Sequence, residues 1–189
     1  IISEMINDQV KQEFLKKGFI VLKDSVPVDL IENVKKDLLN ATKEKIFNEQ
    51  RDIHYFENGE ISSAHNLINY VPSYFDLIRS EKISKFFRSI FLNLSHTNLN
   101  SSYFAKPKFQ GLETKTHQDN AFFCMDPPEI ATCWMPLSSA NKKNGCLYYY
   151  EGSHTLGNLK HVPMGNLGAS MCLSSDEMLK IEKNFKKTY

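Results

Sequence analysis

Residues 117–157 read HQDNAFFCMDPPEIATCWMPLSSANKKNGCLYYYEGSHTLG, and the first three letters of that stretch hold the decisive spacing. In an extended segment side chains alternate faces, so His117 and Asp119 project the same way and can grip one ion. Gln118 between them points elsewhere or turns back through a bend. A neutral imidazole and a carboxylate are two members of the two-histidine, one-carboxylate set that leaves three positions on Fe(II) open. Taken alone, the tripeptide reads more readily as a surface histidine and aspartate at a strand end.

The residues downstream of the tripeptide shift that balance. Ile130–Leu137 reads as a strand with Trp134 near its middle, Asn144-Gly145-Cys146-Leu147 as a turn into a strand over 146–150, and Gly152-Ser153-His154 as a further turn. In this order the elements resemble the phytanoyl-CoA dioxygenase family of non-haem Fe(II)- and 2-oxoglutarate-dependent oxygenases. A helix ahead of Lys17-Gly18-Phe19-Ile20-Val21-Leu22-Lys23 is similar to the start of such proteins. The resemblance is strong in the last third of the matching stretch and weak before it.

The resemblance implies a mainly β fold with flanking α-helices, a double-stranded β-helix or jelly roll of the cupin kind, as a single oxygenase domain over residues 1–189. It implies Fe(II) on His117 and Asp119, and 2-oxoglutarate as cosubstrate close to Gln118, Trp134, Ser102 and Lys106. The reaction implied is hydroxylation of a small-molecule metabolite by molecular oxygen, with 2-oxoglutarate going to succinate and CO2. A carboxylate at position 119 fits hydroxylation, since related halogenases carry a small residue there. From the residues themselves, Ser102 and Lys106 read equally as part of a half-exposed edge strand, and a lone Trp is more often core than cofactor contact.

His154 looks like the missing third ligand, but in the resembling proteins the histidine of this turn does not bind iron. There the distal histidine comes later, after a Gly-Asp segment and before a Ser and an Arg. No such pattern occurs after it here, and His161 beside Val162-Pro163 reads as loop. The expectation is therefore a chain without its C-terminal strands. The alternative is a non-catalytic, cupin-like small-molecule binding module.

Composition bounds the rest. A chain of 189 residues with formal net charge +1 and interspersed charges carries no basic footprint of a nucleic-acid binder. No apolar run approaches the roughly 20 residues of a membrane span. Cys124, Cys133, Cys146 and Cys172 form no CxxC pair, and three lie in segments read as strands, which points to reduced, core-facing thiols and a cytoplasmic location. Nothing in the sequence fixes an oligomeric state.

Along the chain, Glu4–Lys16 carries a partial helical stripe ended by Gly18, and Phe19–Leu22 reads as a strand. Ser25-Val26-Pro27 opens a helix with Leu30, Ile31, Val34, Leu38 and Leu39 on one face, expected to pack on a sheet, and Lys35, Lys36 and Asp37 largely away from it. Residues 48–63, with Asn58-Gly59, read as a loop or short hairpin, and 72–91 as two short helices with Ser80 as cap of the second. Leu99–Lys106 reads as a strand. Ser174 to Glu177 is a capping box opening a last helix.

Overall fold

In the computed structural model helix α1 (Asp8–Lys17) stops where the stripe predicts. Gly18 takes a left-handed φ of +82° and its N–H donates to the Phe14 carbonyl at 2.7 Å, a turn that only glycine enters without strain. The structure describes residues 8–91, 100–108, 113–166 and 169–189. They form two units, residues 8–21 with 113–189 and residues 22–91 with 100–108. Met5 and Leu99, expected in a helix and a strand, lie outside the described residues.

The second unit begins with α2 (Val28–Lys43), entered through Pro27 at φ −56°. Val34, Leu38 and Ala41 are its buried residues, at i, i+4 and i+7, one side of a helix. Leu39 belongs to the outer face instead, 53% exposed against 6% for Leu38. One residue is about 100° of helix, enough to carry it off the stripe. The partner of α2 is helix α3 (Pro72–Ile78), not a sheet. Val71, at the N-cap of α3, has no side-chain oxygen, and Asp37 Oδ2 accepts from the Ser73 N–H at 3.0 Å in its stead. Helix α4 (Glu81–Ile90) comes next, so two helices are found where two were expected. Ser80 sits at the N-cap of α4, yet its side chain makes no cap bond.

Strands β1 (Ile53–Tyr55), β2 (Ile61–His65) and β3 (Ser102–Phe104) form an antiparallel sheet in that order. Asn58-Gly59 turns the β1–β2 hairpin, as the sequence allows. Ile53 and Ala64 are paired and both buried, and Leu67, Val71, Leu77 and Phe86 are further buried apolar residues of this unit. Asp52 is fully buried as well. Arg51, Asn66 and Tyr70 all donate to its carboxylate, and the adjacent Arg51 guanidinium first, then the Tyr70 hydroxyl, hold its pKa well below the usual carboxylate range.

The first unit holds α1, a short helix α5 (Asn120–Phe123), β4 (Tyr149–Tyr150), β5 (His161–Asn166), β6 (Ala169–Leu173), α6 (Ser175–Asn184) and β7 (Lys187–Thr188). β5 pairs with β6 and β4 with β7, both antiparallel. Tyr150, Leu173 and Ile181 form its core, with Tyr148, Leu159, Met178 and Phe185 packed around them. Ser174 Oγ accepts from the Glu177 N–H at 3.4 Å and caps the start of α6, but the Ser174 N–H donates to the Lys160 carbonyl at 2.9 Å, so only one of the two bonds of the expected capping box forms.

The result is a mixed fold of helices and small antiparallel sheets, with helix predominating among the described residues where mainly β was expected. Three expected strands fall short for one reason: an extended run becomes a strand only when a second run pairs with it. Phe19–Leu22 and Ile130–Leu137 carry no ladder, and Pro127, Pro128 and Pro136 remove backbone donors around the latter. Only Tyr149 and Tyr150 of 146–150 pair, with β7. Conversely His161-Val162-Pro163, read as loop, is strand, since Cys172 and Met171 pair with Val162 and Pro163. A two-stranded sheet leaves an outward edge on which proline is tolerated. Of the four cysteines only Cys172 lies in a strand; Cys124 and Cys133 are exposed rather than core-facing. No helix among the described residues is long and apolar enough to cross a membrane.

Candidate metal centre

His117 and Asp119 come together, though not through the alternation of a strand. His117 lies in a stretch without regular structure and Asp119 at the N-cap of α5 with helical φ −59°, ψ −32°. His117 Nε2 and Asp119 Oδ1 are 3.4 Å apart. The Lys115 carbonyl lies 2.8 Å from His117 Nδ1, and a carbonyl only accepts, so Nδ1 carries the proton and Nε2 is the atom directed at the carboxylate. Thr132 Oγ1 donates to the other oxygen, Asp119 Oδ2. The Phe122 ring stands edge-on to the imidazole, centroids 5.5 Å apart.

Each member shifts the other. The hydrogen bond to Asp119 raises the His117 pKa above its ordinary value, against the opposing pull of burial and with help from the Lys115 carbonyl. Asp119 is lowered, first by His117 and, against the cost of burial, by the Thr132 hydroxyl. A cation, whether a proton or a metal ion, is therefore favoured between these two groups. The pair fits two ligand positions for a divalent metal: a fixed imidazole tautomer, a carboxylate with one oxygen engaged and one directed inward, and a hydrogen bond behind each that holds it in orientation. Among the described residues no third His, Cys, Asp or Glu joins them.

Each of the other candidate residues has its own surroundings. Gln118 turns away from its neighbours: its Nε2 donates to the Gly157 carbonyl at 2.7 Å and its Oε1 accepts from the Leu159 N–H at 2.8 Å. Trp134 is 45% exposed in a stretch without regular structure. Ser102 and Lys106 belong to the second unit, Ser102 on β3 with its Oγ 2.9 Å from His65 Nδ1, Lys106 beyond the strand. His154 Nε2 donates to the Leu15 carbonyl, and His161 Nε2 accepts from the Gln118 N–H at 2.9 Å. Sequence reading missed Thr132 and the Lys115 carbonyl. Thr132 is 13 residues from Asp119 with no periodicity to connect them, whereas a backbone acceptor two residues before a candidate ligand is a signal that could be looked for.

Comparison with known proteins agrees with the motif. The model of the phytanoyl-CoA dioxygenase (PhyH) family matches residues 14–167. Phytanoyl-CoA dioxygenase 1 of Oryza sativa subsp. japonica is 42% identical over 59 residues, which are 31% of this chain and 21% of that protein. Phytanoyl-CoA dioxygenase domain-containing protein 1 of Mus musculus is 31% identical over 95 residues, 50% of this chain and 32% of that protein. Phytanoyl-CoA dioxygenase of Arabidopsis thaliana is 31% identical over 105 residues, 56% of this chain and 37% of that protein. The matching stretches thus span less than half of these relatives. With the family model covering most of its length and the HxD pair assembled in the structure, this chain belongs to the phytanoyl-CoA dioxygenase family.

Proposed function

We propose that this chain carries part of an Fe(II)- and 2-oxoglutarate-dependent dioxygenase that hydroxylates a small-molecule metabolite, built as a double-stranded β-helix and working in the reducing cytoplasm. The observation that carries the reading is the placement of His117 Nε2 against Asp119 Oδ1 with the imidazole tautomer already fixed by Lys115. Family membership supports it, as do the four free thiols for a reducing compartment.

His117 and Asp119 would hold Fe(II), which with 2-oxoglutarate supplies oxygen activation and C–H oxidation when bound. The protein's own part is positional. Lys115 keeps the proton on Nδ1, so Nε2 is available once it is deprotonated. Thr132 engages one carboxylate oxygen and leaves the second for the ion. Phe122 packs edge-on against the imidazole. Gln118, Trp134, Ser102 and Lys106 are proposed to lie near 2-oxoglutarate. For Gln118 that role would be shared with its bonds to Gly157 and Leu159.

The test is iron-dependent conversion of 2-oxoglutarate to succinate in the presence of candidate metabolites. Asp119→Ala should reduce turnover to background, and Thr132→Val should reduce it less. Undiminished hydroxylation by Asp119→Ala, with iron and 2-oxoglutarate supplied, would remove the assignment. Metabolite binding by a protein whose affinity ignores both His117→Ala and added metal would favour the non-catalytic binding module.

A further inference from the structure

We propose that Gln118 and His161 are positioning residues, a clamp that fixes the backbone between His117 and Asp119 so that both side chains meet at one point. The inference rests on reading those two residues as metal ligands, and it concerns the face of the segment turned away from the ion.

Two ligands at i and i+2 share one intervening residue, and the orientation of its peptide decides whether their side chains converge. That residue is anchored on both its backbone and its side chain. The Gln118 N–H donates to His161 Nε2 at 2.9 Å. Its side-chain amide bridges the Gly157 carbonyl and the Leu159 N–H, at 2.7 and 2.8 Å. His161 is itself oriented, because its Nδ1–H donates to the Leu159 carbonyl at 2.9 Å, which leaves Nε2 as the acceptor that the Gln118 N–H needs. Just beyond, Asn120 Nδ2 donates to Asn158 Oδ1 at 3.2 Å and to the Met125 carbonyl at 3.1 Å.

The bonds run between residues 118–120 and 157–161, about forty positions apart, and of the far-side residues His161 is held in β5 by its pairing with β6. Ligand geometry tolerates errors of only about 0.5 Å and 10–20°. A backbone N–H left without its acceptor on one side of the pair lets the peptide rotate, and the error appears on the other side at both ligands. His161 thereby acquires a role that involves no contact with the ion.

The experiment compares the unaltered chain with His161→Leu, which removes the acceptor, and His161→Gln, whose amide oxygen reaches as far as Nε2. Three quantities are read: exchange of the Gln118 amide proton, the NMR signals of the His117 ring without metal, and Co(II) affinity from its visible absorption. His161→Leu should speed exchange, shift the His117 ring signals and weaken Co(II) binding about 10-fold, the usual scale when a group that orients a metal ligand is lost. His161→Gln should restore all three. Unshifted ring signals and unchanged Co(II) affinity in the Leu variant would overturn the clamp. If the unaltered chain binds no Co(II), or His117→Ala leaves binding intact, the metal-centre reading is lost. The His117 ring signals then decide the clamp alone: a shift in Leu with return in Gln supports it, and no shift overturns it. Should the Leu variant not fold, His161→Asn, whose amide stops short of the Nε2 position, takes its place against His161→Gln.

Discussion

His154 Nε2 donates to the carbonyl oxygen of Leu15 at 2.9 Å, and two residues earlier the Gly152 N–H donates to the carbonyl of Lys17 at 2.8 Å. The Gly-Ser-His turn therefore closes the C-terminal end of α1, where helix carbonyls have no partner of their own. Gly18 lies inside this junction. A Cβ built there would be 2.4 Å from His154 Nδ1. The glycine that ends the helix and the histidine of the later turn are thus two halves of one contact, which accounts for His154 without a metal.

Gly18→Ala should cost more than Gly59→Ala. Both positions have φ of +82°, so both lose about 1 kcal/mol to left-handed strain, but nothing lies within 4 Å of a Cβ at Gly59. The clash at Gly18 should raise its total to about 2 kcal/mol or more. His154→Ala removes the obstructing ring, so the double variant should be more stable than the sum of the single losses predicts. Denaturant unfolding of the four proteins measures this, and equal losses at Gly18 and Gly59 would contradict it.

The two adjacent leucines of α2 should behave differently. Leu38→Ala empties a buried site and should cost about 2–4 kcal/mol, while Leu39→Ala, on the exposed face, should stay within about 0.5 kcal/mol. Comparable losses would place the buried face of α2 elsewhere.

Such helices were legible because a helix writes its buried face into its own sequence. α1, α3, α4 and α6 stand where stripes, Gly18 and the Ser174 cap place them, and His117 and Asp119 come together, though not through the alternation of a strand. What escaped depended on distant partners. Asp37, assigned with two lysines to the outer side of α2, caps a helix 36 residues further on. Asp52, in a stretch read from its polarity as a loop or hairpin, is buried because three donors arrive from Arg51, Asn66 and Tyr70. His161 read as loop beside a proline, yet its strand is defined by β6 and its role by a residue 43 positions earlier. None of these partnerships leaves a period in the sequence.

His65 makes the second unit sensitive to acid. Its ring lies between Ser102 Oγ at 2.9 Å and Ser63 Oγ at 3.2 Å, edge-on to Phe104 and His54. Burial first, then the neighbouring His54, push its pKa below the ordinary 6.5, with Asp52 pulling weakly the other way. A group whose folded-state pKa is depressed adds stability that is fully present above the unfolded value and is lost as pH falls through the folded one. Thermal stability should therefore decline as pH is lowered from about 7 to below about 6, and His65→Gln should flatten that decline. An equally steep profile in His65→Gln would assign the sensitivity to another group.

The His117–Asp119 pair has the opposite dependence on its alkaline side. His117 is raised, so its contribution is complete below the ordinary imidazole value of 6.5 and is lost as pH rises through the folded pKa. Asp119 is lowered, so its contribution is complete above the ordinary 3.8 and is lost as pH falls through its folded pKa. Without metal the pair should stabilise the fold most between those two ordinary values. A metal needs Nε2 without its proton and competes with the arrangement that is best in mild acid. Co(II) affinity should consequently rise with pH until His117 is fully deprotonated, with one proton released per ion, while the stabilisation of the metal-free pair fades over the same range. Asp119→Asn should move the His117 pKa back down, and NMR titration of the ring reads this directly. If the His117 titration is unchanged in that variant, the two groups are not coupled, and the bond between Nε2 and Oδ1 does not exist in solution.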